Sequence, residues 1–188
     1  MSFIPDLTLP QLGAGAVHAV WAVRAAAVGG LDCPALARAY SVAFGDDRDD
    51  ALAGVLVFTR AIGLAARKRV GLAAPGCCGV TRDELSIVNI LAAAQAGDDD
   101  ALDARLAWFA QPRYAAAARA AARTLATAFS DASLPFETVT DAGAPGAAAA
   151  APRAVRTATA SGSVMMFPEG GGGARGRAGA RAELRVTQ

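Results

Sequence analysis

The sequence predicts an all-α protein: a compact bundle of about six helices over residues 1–136, followed by a disordered tail rich in Ala, Gly, Pro and Arg over 137–188. Three observations carry this expectation. Apolar residues recur at three- and four-residue spacing from the first helix start to Phe129, the period of a helix with one buried face. Capping residues and glycines punctuate that pattern at the intervals expected of short helices. Beyond Pro135 the period vanishes, and Gly143–Pro152 and Gly170–Gly173 are too poor in large apolar groups to offset the entropy of ordering.

Taken in order, Thr8-Leu9-Pro10-Gln11 supplies a cap, an early proline and a capping-box glutamine, so a helix is expected to start at Thr8 and to end at Gly29-Gly30. Asp32 is expected to cap a second, short helix in which Leu36, Tyr40 and Phe44 share a face, with Gly45 as its terminator. The acidic run Asp46–Asp50 complements the N-terminal dipole of a third helix. Its stripe of Leu52, Val55, Leu56, Thr59, Ile62, Gly63 and Ala66 marks it as the centre of the bundle. Arg67-Lys68-Arg69 reads as the positive end of that helix. Thr81-Arg82-Asp83-Glu84 is a capping box opening a fourth helix with Ile87, Val88 and Leu91 inward. Asp98–Asp100 opens a fifth on Leu102, Leu106 and Phe109. After Pro112 a sixth runs from about Arg113 to Asp131, burying Tyr114, Ala118, Ala121, Leu125 and Phe129 and exposing Arg119 and Arg123.

Composition narrows the function classes. Eighteen basic residues against seventeen acidic ones leave no field to attract nucleic acid or an anionic membrane. In the tail, six arginines against four acids give only +2. The apolar stretches Leu12–Leu31 and Ala51–Ala66 are interrupted by charge and read as core helices rather than membrane spans. No cation precedes Arg24, so the start lacks the pattern of a secretory signal, and three cysteines, an odd number, imply no disulfide framework. A reducing bacterial cytoplasm is the expected setting.

The unusual chemistry lies at Ala74-Pro75-Gly76-Cys77-Cys78-Gly79-Val80-Thr81, two adjacent thiols before a helix start whose amides favour a thiolate. With His18 and Cys33 they make a set of the right types for zinc, but adjacent cysteines project apart in extended backbone and chelate one ion poorly. The alternative metal site is therefore His18, Cys33, Cys77 and Cys78, and the favoured expectation is no metal, no cofactor and a structural role for the pair. No nucleophile–base–orienter constellation is legible, so no catalytic residue is assigned. In the tail, Val164-Met165-Met166-Phe167 is the single apolar island, and these four residues are the candidate partner-binding segment.

Gly30-Leu31-Asp32, Phe44-Gly45, Arg67-Lys68 and the run Ala74–Glu84 resemble a family of short alphaproteobacterial helical proteins of unknown function, in which a cysteine cluster precedes a Thr-x-Asp-Glu helix start. The resemblance spans about Leu12–Phe136 and implies no activity. The expectation is a non-enzymatic interaction or accessory protein in a larger assembly, with the tail as docking segment. The alternative is a metal-binding or thiol-redox protein using the Cys77-Cys78 loop.

Overall fold

A computed structural model of the chain describes residues 2–138. The expected disordered tail, and with it the segment Val164–Phe167, lies outside the described residues. The described part is all-α, with one small two-stranded ribbon: β1 (Phe3–Thr8), α1 (Gly13–Ala27), α2 (Pro34–Phe44), α3 (Arg48–Ala65), β2 (Gly79–Thr81), α4 (Arg82–Ala96), α5 (Asp99–Phe109) and α6 (Pro112–Asp131). Among the described residues no helix is long and apolar enough to cross a membrane.

Helix α3 packs most extensively on α6 and also on α1 and α2, which places it at the centre. Its buried stripe is Ala51, Val55, Phe58, Thr59, Ile62 and Ala65. This is rotated from the expected one: Val55, Thr59 and Ile62 are common to both, whereas Leu52, Leu56, Gly63 and Ala66 lie at the margins. The rotation brings Phe58 into the buried stripe, and the helix that α3 packs on most extensively, α6, buries a face made largely of alanine, with Ala118, Ala121, Ala122 and Ala126. A Cβ on Gly54 would sit 3.5 Å from Leu125, an ordinary van der Waals contact, so the two helices lie close here without requiring a glycine.

A relay of rings stiffens this alanine-rich core. Tyr40 stacks on Phe44 at 4.9 Å between centroids, Phe44 meets Phe129 edge-on at 5.0 Å, and Phe129 lies 5.0 Å from Phe136. The last contact shows where the domain ends. Gln95 of α4 donates to the Leu134 carbonyl and accepts from the Phe136 amide, clamping residues 134–136 across the bundle, and Phe136 is buried.

Two starts differ from expectation. The capping hydrogen bonds from Thr8 to the Gln11 side chain form, at 2.6 Å from the backbone and 2.9 Å from the hydroxyl. They open only a 3-10 turn, Leu9–Leu12, and α1 begins at Gly13. Residues before Thr8 instead pair antiparallel with β2, with Phe3 opposite Thr81 and Thr8 opposite Gly79. The five steps from Phe3 to Thr8 are set against only two steps of β2, and the surplus is absorbed by a bulge with Asp6 at φ +60°. A strand this short is set by its partner rather than by its own period. At α2 the N-cap is Cys33, not Asp32, because Pro34 occupies the first helical position and holds the preceding residue extended.

Candidate functional site

The residues expected to carry chemistry sit on a strap, Val70–Thr81, that crosses from the end of α3 to the start of α4. Of what holds the strap, the sequence singled out the Thr81–Glu84 capping box but not Arg24. Arg24 of α1 and Glu84 of α4 are each 1% exposed and face each other in a two-pronged ion pair. Arg24 Nε donates to Glu84 Oε1 at 2.7 Å and Nη2 to Oε2 at 2.9 Å. The remaining valences of both groups point into the strap. Arg24 Nη1 donates to the Cys77 carbonyl at 2.5 Å and Nη2 to the Gly79 carbonyl at 2.8 Å. Glu84 accepts from the Ala73 amide at 2.8 Å and the Thr81 amide at 2.9 Å.

The capping box accounts for half of this. Thr81 takes the Glu84 amide on its hydroxyl and gives its own amide to the Glu84 carboxylate, the reciprocal pair predicted for α4, while its hydroxyl donates to the Gly71 carbonyl at 2.6 Å. A capping-box glutamate is ordinarily half in water. Here the arginine from α1 covers it, so four donors meet four acceptor positions of a carboxylate and none is left to solvent. Asp83 fastens the strap from outside, accepting from the Gly71 amide at 2.8 Å and pairing with Lys68 at 2.9 Å. Arg24 was legible only as a charge interrupting an apolar helix. That is the signal by which it could have been found, since a charge on a buried helical face needs a partner.

Around the two thiols the backbone is tied as well. The Cys77 amide closes a turn on Ala74 at 3.0 Å, and the Cys78 carbonyl accepts from Leu9 at 2.8 Å. With Arg24 on the neighbouring carbonyls, the Cys77, Cys78 and Gly79 carbonyls are all engaged. Cys78 is exposed and Cys77 half-buried, with its sulfur beside Gly79 next to the Phe3 ring. All three cysteines are free.

The four residues of the alternative metal set are spread over the fold. Cys33 caps α2 and packs against the core. His18 lies on α1 with Nδ1 2.8 Å from the Ala14 carbonyl and its ring edge toward Tyr40. Among the described residues no three His, Cys, Asp or Glu side chains are grouped to hold a metal ion. The basic triplet divides its labour. Arg67 turns not to its own helix but to the end of α5, donating to the Ala110 and Ala107 carbonyls at 2.9 Å each.

A second feature lies on α5. Its Asp99 and Asp103 pair with Arg123 and Arg119 of α6. The hydrogen bond from Arg123 holds the Asp99 carboxyl below its usual range. The opposite flank carries Trp108, 83% exposed, with Arg105 one turn before it. The Arg105 Nε is buried and has no hydrogen-bond partner among the described residues. Val57 and Leu64, also exposed, stand on the outer face of α3, and Val42 on that of α2. Trp108 is the largest and most exposed of these groups.

No protein-family model, curated protein or solved structure matches this chain.

Proposed function

We propose that this is a non-enzymatic interaction or accessory protein, a component of a larger assembly in a reducing cytoplasm, with a helical domain that presents a docking flank and a tail that carries Val164, Met165, Met166 and Phe167 as a further anchor. The observation that carries the reading is Trp108. A tryptophan left 83% in water, on a helix that buries Leu102 and Leu106, forgoes burial that the alanine-rich core could have used. Tryptophan and arginine are the side chains that most often dominate binding energy when a partner covers them. The strap supports the same reading, because its charged groups are consumed in holding the Cys77-Cys78 backbone. The test is purification of the full chain from its native cells, with and without Trp108→Ala and the triple change Met165→Ser, Met166→Ser and Phe167→Ser. A partner present in fixed ratio and lost with either variant is expected; a partner set unchanged by both would overturn the reading.

A thiol function of the Cys77-Cys78 pair is the second reading, favoured by the exposure of Cys78 at the tip of the strap. Stoichiometric zinc or iron in protein purified without added metal, lost in the double change Cys77→Ser and Cys78→Ser, would promote it over the first.

A further inference from the structure

We propose that the outer face of α3 is the contact surface of a symmetric dimer, in which this helix lies antiparallel against the same helix of a second copy of the chain. The surface is separate from the Trp108 flank, and neither depends on the other.

Helix α3 has two faces to account for. One is buried against α1, α2 and α6. On the opposite side Ala53, Val57, Arg60 and Leu64 are all exposed. Their spacing of four, three and four residues is that of a seam along which two helices lie side by side. Val57 is 58% and Leu64 47% exposed, so the seam leaves in water apolar area that the core does not use. Ala53 is small enough to admit a neighbouring side chain, and Arg60 is the one charged member of the four. Asp50, one turn before Ala53, is exposed at the edge of the same face.

The charge along the helix says what covers this face. Asp46, Asp47, Asp49 and Asp50 surround its start, and Arg48 offsets them only by pairing with Asp49. Arg60 lies in its second half, and Arg67, Lys68 and Arg69 follow its end. Arg67 is turned to the α5 carbonyls and Lys68 to Asp83, whereas Asp50 and Arg60 have no ion-pair partner among the described residues. A patch whose charge reverses sign along its length is complementary to itself when turned end for end. A parallel copy would set acid against acid and Arg60 against Arg60. About a two-fold axis that crosses the seam between Ala53 and Val57, Asp50 of each copy faces Arg60 of the other, and Ala53 faces Val57. Asp50 and Arg60 are about 15 Å apart along the helix, so the two ion pairs bracket an apolar centre, with a Leu64 beyond each.

Sedimentation equilibrium of the full chain over about 1 µM to 1 mM tests this, the range in which a small and partly polar interface assembles. A reversible dimer is expected. Asp50→Arg or Arg60→Asp alone should weaken it by about 100-fold or more, because the two-fold axis repeats each like-charge contact. The two changes together should restore it to within about tenfold of the parent. Val57→Ser, which removes apolar area without touching charge, should weaken it about tenfold. These positions are exposed, so the variants should keep the parent's cooperative thermal transition. A monomer throughout the range would overturn the proposal. So would a dimer that ignores the single charge changes, one that the combined change does not restore, or one lost instead with Trp108→Ala. None of these results bears on capture of a different protein by the Trp108 flank.

Discussion

Arg24 shows how a single residue can organise a segment that has no regular structure of its own. The strap has few backbone partners besides the short ribbon, and its half-buried carbonyls at Cys77 and Gly79 turn onto the buried Arg24 guanidinium. An arginine can serve both while forking a carboxylate; lysine cannot, having one donor centre. Arg24→Met would orphan those carbonyls and leave Glu84 charged and unpaired, at a cost of about 3–5 kcal/mol against a total stability of about 5–15 kcal/mol. Arg24→Lys should lie between that variant and the parent. Urea midpoints measure both; a loss under about 1 kcal/mol for the methionine variant would mean that the pair does not hold the strap. Tyr40 gives a second prediction at this scale. Its hydroxyl donates to the His18 carbonyl at 3.1 Å, and burial raises the phenol above its ordinary pKa of about 10. A group whose folded pKa is raised contributes stability that is complete below the unfolded value and is lost as pH rises beyond it. Stability should therefore fall steeply above about pH 10, and the fall should be shallower in Tyr40→Phe. Parallel pH profiles for the two proteins would contradict this.

At the scale of elements, α1 and the segment after α6 approach so closely at Gly15 that a side chain there has no room. A Cβ on Gly15 would lie 2.5 Å from the Pro135 carbonyl oxygen and 3.0 Å from that of Leu134, both backbone atoms that cannot step aside alone. Gly15→Ala should thus destabilise by about 1–3 kcal/mol through overpacking, although alanine is intrinsically the better helix former by about 1 kcal/mol. An unchanged or raised melting temperature would show that residues 134–136 are not fixed there. Ile62 is buried in the α3 stripe, and Ile62→Asp should prevent folding outright, checked by loss of a cooperative transition. The elements were largely legible because their signals are local. The Thr81–Glu84 box, the Asp98 cap and the Leu102–Leu106 repeat each specify a helix without reference to the rest of the chain. The ribbon and the strap were not, because β1 depends on pairing with residues more than seventy positions away and Arg24 on a carboxylate sixty positions away. The thiols Cys77 and Cys78 stood out by their residue type, whereas the groups that position them are ordinary residues whose importance comes only from where the fold puts them. Trp108 was passed over for a related reason: nothing in the spacing of α5 says which apolar side chain is left outside.

For the molecule as a whole, the described domain closes on itself at Phe136, whose ring completes the aromatic relay and whose amide is held by Gln95. A chain truncated after Thr138 should keep the helical signal and melting temperature of the full protein. One truncated after Asp131 loses the buried phenylalanine and both clamp bonds, and should be weaker by about 3–5 kcal/mol. Equal stability of the two truncations would show that the terminal segment is not part of the core. The described domain thus combines an interior locked by a buried ion pair with an outer flank on which Trp108 stands exposed. Amide hydrogen exchange at Ala73 and Thr81, the two strap amides that donate to Glu84, tests that lock most directly. Exchange only through global unfolding, as slow as that of the α3 and α4 core amides, is the predicted result. Exchange at the rate of an open loop would contradict it and return the cysteine segment to a freely moving one.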